Sequence, residues 1–283
     1  MNLFDQYVTF KQNHPGQELR VNEHLVKYVI IGEGEQTILT LIGGSMFPTE
    51  AYFLMLEKLA KSHRIIILNY PKNVQTLKEL AYIYKETLEQ LHLYHVYLFG
   101  ANHGGGVAQV FAKEYPKMVD GLILYNTIAQ SEYMNREVKE LAFQLKQAIN
   151  ELKELRKMVS LDTIKHTLLE QIKASIPDTK NHMFYEHFIS LYQEKEENDH
   201  MDLIKDFLEN YTFSHRDFCY LKSKTLIFYG HDIDPLGGTE FVEVLADLHQ
   251  EPQLIYVETD RFQLMSQPKI MIDEINRFLD LKH

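Results

Sequence analysis

Residues 99–109 read FGANHGGGVAQ. An apolar run, HVYLFG (95–100), leads directly into a glycine-flanked residue, Asn102, and the segment GVAQVFAKEYP follows at once. In that segment Val107, Val110 and Phe111 share one helical face and Pro116 marks the end. The pattern predicts a strand, a sharp turn and a helix. Such a turn needs small neighbours, because its central residue is held in a strained backbone conformation with little space around it. Gly100 and Gly104 stand in the flanking places of G-x-S-x-G, with Asn102 in the place of the serine. Asparagine tolerates unusual backbone conformations better than most residues, so the turn survives the exchange. A dinucleotide fingerprint and a P-loop both need glycine and lysine spacings that this chain lacks.

Outward from the turn, short β-branched apolar runs alternate with segments of helical period, the pattern of a sheet covered by helices. Strands are expected at 24–35, 37–44, 64–70, 95–100, 121–126, 224–230 and 253–258, the first two pairing as a hairpin. Helices are expected at about 50–61, 77–91, 239–248 and 269–281. Between about 131 and 211 strand signals vanish and Lys/Glu-rich helical segments with aromatic and leucine stripes take over. The expected organisation is a core of residues 1–130 and 216–283 with a helical cap, 131–215, inserted in it. The aromatics of that insertion are expected to form a small core against the main body, a few of them facing a ligand between the two parts.

Composition narrows the function. The 283 residues are 45% hydrophobic and 24% charged, enough to bury a sizeable core. A formal net charge of −11, with no basic stripe to override it, disfavours nucleic acid as a partner. The single cysteine, Cys219, excludes an intrachain disulfide and any cysteine-cluster zinc site, and its setting in FCYL predicts a buried structural thiol. The N-terminal sequence lacks the pattern of a signal peptide, and no stretch approaches the roughly 20 apolar residues of a membrane span. These features predict a cytoplasmic protein without cofactor. No metal is expected either, because His182 and His187 are spaced five apart, off one helical face.

Four segments, in order, resemble the α/β-hydrolase family over nearly the whole chain. LIGGSMFP resembles its oxyanion loop, with Ile42 in place of the usual histidine. YLFGANHGGGVAQVFAKEYP resembles the nucleophile elbow, LIFYGHDIDP the loop bearing the acid, and DRFQLMSQP the loop bearing the catalytic histidine. LNYP and the elbow helix are also similar to the maspardin-like branch, whose members are regarded as non-hydrolytic adaptors. The resemblance implies a mostly parallel central sheet flanked by helices, with an inserted cap and a degenerate catalytic triad. Asn102 falls at the nucleophile position, Arg261 at the histidine position, and Asp234, or alternatively Asp232, at the acid position.

Those residue types cannot run the family's chemistry. The carboxamide nitrogen of Asn102 is not a nucleophile at neutral pH, and a guanidinium such as Arg261 stays protonated and cannot act as a base. Loss of both groups leaves only what positioning and oxyanion donors supply, about 10³ to 10⁴ over water. Oxyanion donors persist where they are backbone groups: the N–H of His103 and one from Gly44 or Ser45. An inward Arg261 adds a fixed positive charge suited to a carboxylate, whereas one paired with Asp232, Asp234 or Asp260 staples loops. Recognition of a small ligand, anionic or partly apolar, or a surface for a protein partner, is therefore expected. The alternative is a divergent hydrolase of a small ester or amide, with Ser45 attacking and His103 or His231 as base.

Overall fold

The computed structural model describes residues 1–230, 239–258, 265 and 268–280. Its strands are β1 (Gln17–Val21), β2 (His24–Ile31), β3 (Thr37–Leu41), β4 (Arg64–Leu68), β5 (Val96–Ala101), β6 (Val119–Tyr125), β7 (Thr225–Tyr229) and β8 (Gln253–Tyr256). They form one sheet in the order β1-β2-β4-β3-β5-β6-β7-β8. β2 runs antiparallel to both β1 and β4, and every pairing from β4 to β8 is parallel.

The expected hairpin of the 24–35 and 37–44 segments does not form, because β4 lies between them, with Ile66 opposite Ile30 on one side and Leu39 on the other. Burial explains the order. β3 is buried at all five positions and needs cover on both faces, whereas β2 alternates buried and exposed residues and belongs near an edge. The same alternation divides the core. Leu39, Leu41, Leu98 and Leu122 point to one face of the sheet, and Ile38, Ile65, Phe99 and Ile123 to the other.

Helices α1 (Leu3–Asn13) and α2 (Phe53–Leu59) and the closing helix Lys269–Asp280 cover the second face. Helices α3 (Leu77–Gln90) and α4 (His103–Glu114) cover the first. α1 was not among the expected elements, although Leu3, Tyr7 and Phe10 recur at helical spacing and all three are buried. Asn2 caps it by accepting from the Asp5 N–H at 2.8 Å, and Lys11 anchors it to Glu50 at 2.7 Å.

Between β6 and β7 the chain is helical: α5 (Arg136–Arg156), α6 (Leu161–Ser175), α7 (His182–Leu191) and α8 (Glu194–Asn210). Its two ends meet where Phe213 N–H donates to Gln130 O at 2.8 Å and Glu132 N–H donates to Phe213 O at 3.1 Å. Phe184 and Phe188 of α7 pack on Tyr7, and Phe184 also on Phe53, which is the small aromatic core expected of this segment. α8 is fixed differently. Its Asp206 carboxylate accepts the Leu77 N–H at 2.7 Å and an Asn210 amide at 2.7 Å, placing a negative group at the start of α3, where the helix dipole favours it.

Cys219 is exposed, contrary to the expected buried thiol. It opens the single turn Cys219–Leu221 after the short helix α9 (His215–Phe218); Phe218 and Leu221 take the inward positions and leave Cys219 on the outer side, donating to Arg216 O. His249 is the reverse case, with no exposed surface, both ring nitrogens without a partner among the described residues, and the Phe218 ring 4.5 Å away. Burial pushes its pKa down to about 3.

Two outcomes follow for stability. In the unfolded chain His249 takes up a proton below its ordinary pKa of about 6.5, while the folded ring stays neutral, so its contribution is present above that pH and is lost as pH falls toward 3. Urea unfolding of His249→Leu between pH 7 and pH 5 should therefore show about 2 kcal/mol less loss than the original chain; equal losses would contradict this account of His249. Asp206→Ala should lower stability by about 1–2 kcal/mol at pH 7, as capping residues do, and an unchanged urea midpoint would show that the contact to α3 contributes nothing.

Candidate functional site

The site is built on the turn between β5 and α4. Asn102 has φ 50° and ψ −120°, outside the left-handed helical well that asparagine tolerates, a conformation that costs on the order of 1–3 kcal/mol. Neighbours hold it there. Its N–H donates to Tyr125 O at 3.0 Å, and its carbonyl accepts from the Gly105 N–H at 3.1 Å and the Thr127 hydroxyl at 2.7 Å. Close approach does the rest: a Cβ on Gly104 would lie 1.6 Å from Leu41 O, so only glycine lets α4 start against the end of β3. These contacts put residue 102 at the carboxyl end of the sheet, at the mouth of a helix N-terminus.

The loop after β3 supplies the other backbone donors. Gly44 N–H donates to Phe47 O at 2.8 Å, so of the two alternatives for the second donor, Gly44 and Ser45, the first is engaged within its own turn. Phe47 is buried against Tyr185 and Phe188 of α7, and Ile42 is buried in the core on the same face. No hydrogen bond joins Ser45 to His103 among the described residues.

His103 instead faces Tyr70, from the segment after β4, and His200, from α8. The rings of Tyr70 and His103 lie 5.6 Å apart, those of His103 and His200 5.4 Å, and those of Tyr70 and His200 4.3 Å. The Tyr70 hydroxyl, His103 Nε2 and His200 Nε2 are shut off from solvent and have no hydrogen-bond partner among the described residues. His200 Nδ1 lies 2.9 Å from Glu196 O, which assigns its proton to that nitrogen and leaves Nε2 as a bare acceptor. Burial holds the His103 pKa well below the ordinary histidine range, and the neighbouring His200 lowers it further. His200 is lowered by burial too, against the opposing pull of the Glu196 carbonyl and the Asp199 carboxylate. Both rings are therefore neutral at pH 7, and His103 is a weak base.

A cavity of about 10 Å³ lies beside Asn102, lined by His103, Gly106, Ile128, Ile204 and Phe207. That is room for about one water molecule. Ile204 and Phe207 come from α8, and Phe207 seats against Gly106, where a Cβ would lie 3.2 Å from its ring. The site residues His231, Asp232, Asp234 and Arg261, and the loop residue Asp260, lie outside the described residues. Tyr70, His200, Ile204 and Phe207 were absent from the sequence reading. The signal for the last three is the spacing 200, 204, 207 along one face of an otherwise highly charged helix.

Among the described residues no group of three or more His, Cys, Asp or Glu is placed to hold a metal ion, and no helix is long and apolar enough to cross a membrane. His182 Nε2 bonds Ile176 O at 2.9 Å, and the His187 ring packs on Phe4 and Tyr7.

No family model matches the chain, and no curated protein matches it in sequence. Solved structures do match in shape. A hydrolase from Pseudomonas aeruginosa superposes with a TM-score of 0.71 at 16% identity, over 94% of this chain and 99% of that one. A meta-cleavage product hydrolase from Pseudomonas fluorescens gives 0.69 at 16% identity, over 94% and 97%. An α/β-hydrolase enzyme from a Medee basin deep-sea metagenome library gives 0.66 at 17% identity, over 94% and 98%. Identity this low carries the architecture and nothing of the chemistry. The mostly parallel sheet, its covering helices and the strained turn after β5 together give this chain the α/β-hydrolase fold.

Proposed function

We propose that this chain is a non-hydrolytic member of its fold, a recognition protein that receives a small anionic or partly apolar ligand at the turn after β5. The observation that carries the reading is Asn102, a carboxamide in the strained conformation that presents a nucleophile elsewhere on this frame. The strain is kept while the attacking group is gone, and a backbone cost without chemical use is better explained by binding. In this reading His103 N–H and Ser45 N–H offer donors to an oxyanion or carbonyl, and Arg261, at the histidine position, supplies positive charge. Asp234, or Asp232, takes the acid position. Residues 131–215 serve as the cap. A ligand larger than one water enters the cavity beside Asn102 only if Ile204 and Phe207 of α8 give way.

The alternative, hydrolysis through Ser45, loses its proposed base at His103: that ring is turned to Tyr70 and His200 and is a weak base. A protein-adaptor role on this fold needs no ligand, and it predicts partner capture that survives substitutions in the pocket.

Purified protein assayed with 4-nitrophenyl acetate at pH 7.5 should hydrolyse it no faster than its Asn102→Ala variant. Acetate or benzoate at millimolar concentration should raise the melting temperature of the original chain and not that of Arg261→Ala. Turnover abolished by Ser45→Ala or His231→Ala would overturn the non-hydrolytic reading, and a carboxylate shift equal in Arg261→Ala would remove Arg261 from the site.

A further inference from the structure

We propose that Tyr70, His103 and His200 form an acid-sensitive latch, which holds α8 closed over Asn102 near neutral pH and releases it on acidification. The two imidazoles sit on opposite sides of one seam: His103 opens α4 and is fixed to the sheet through the strained turn, and His200 belongs to α8. Their ring centroids are 5.4 Å apart, and each Nε2 is shut off from solvent with no partner among the described residues. Neutral, the pair packs as an apolar joint, with the Tyr70 ring tilted against His200 at 4.3 Å. A proton on either ring creates an N–H donor with no acceptor in reach and a buried charge, and a second proton adds repulsion between like charges.

The surrounding groups set the order of events. On α8, the Glu196 carbonyl already accepts from His200 Nδ1, and the Asp199 carboxylate, paired with Lys195, favours a positive His200. On the other side, Tyr70 is backed by Tyr84, and both phenols are neutral, their pKa values raised by burial. Among the described residues, burial and the neighbouring His200 are what lower His103. His200 therefore takes the first proton, and its charge further disfavours one on His103.

With α8 swung open both rings titrate as ordinary histidines near pH 6.5. In the closed state both lie lower, so closure is favoured above about 6.5 and is lost as pH falls toward the closed-state values. The same helix carries Ile204 and Phe207, so its release uncovers the cavity beside Asn102. The latch rests on the reading of α8 as the cover of the site, while the esterase and carboxylate assays decide the function separately.

Hydrogen exchange of the full chain, corrected for intrinsic rates, tests the latch directly. Between pH 7.5 and pH 5.5 the protection of amides in 194–210 should fall about tenfold or more, tenfold being one proton's linkage over one unit below 6.5. Amides of β5 and β6 should stay protected. In the double variant His103→Gln/His200→Gln the α8 drop should vanish; if that variant does not fold, His200→Leu, which removes one of the two linked protons, should show a smaller drop than the original chain. Constant protection of α8 across this range, an undiminished drop in the folded variants, or equal losses in β5 and α8 would overturn the proposal.

Discussion

The arrangement of the site depends on one strained residue. Asn102 stays at φ 50° because three backbone-directed hydrogen bonds and the contact of Gly104 with Leu41 leave it no relaxed alternative. A cost on the order of 1–3 kcal/mol is small against the core that fixes it, since β3, β5 and β6 are buried along nearly their whole length and α4 is buried on most of its surface. The packing of the sheet and α4 is therefore enough to hold the strain in place. This is why the turn persists with a carboxamide at its centre.

From that residue the rest of the site follows by position. The turn directs His103 toward the segment after β4, where Tyr70 waits, and lays the glycine-rich start of α4 open to Phe207. α8 fills that opening with Ile204, Phe207 and His200, and is itself secured by Asp206 to the N-terminus of α3. One helix thus meets two kinds of contact: the hydrogen bond of Asp206 to the start of α3, and the uncharged imidazole of His200 against that of His103. The closed cavity and the pH-sensitive seam are two consequences of the same packing.

Much of this architecture was legible in the residues. FGANHGGG gave away the turn because glycine spacing after an apolar strand reports a steric requirement, and the helices at 77–90 and 239–248 were marked by clear period. The order of strands was harder. β2 and β3 are adjacent in sequence and separated by a glycine turn, which suggests a hairpin, but only the burial of both faces of β3 tells that β4 must intervene. Cys219 misled because FCYL is apolar in sequence, whereas a short helix decides by angle which of its residues face out. The partners of His103 were hidden for another reason. Tyr70 lies 33 positions before it and His200 97 after it, and no local pattern reports a contact made by the meeting of three separate segments.

The most direct test is to restore the chemistry on the unchanged frame. Steady-state hydrolysis of 4-nitrophenyl acetate by Asn102→Ser/Arg261→His, compared with the original chain, measures whether the backbone still presents residue 102 beside working oxyanion donors. The account predicts turnover in the double variant where the original has none. A folded double variant as inactive as the original, or an original chain already as active as the variant, would contradict it.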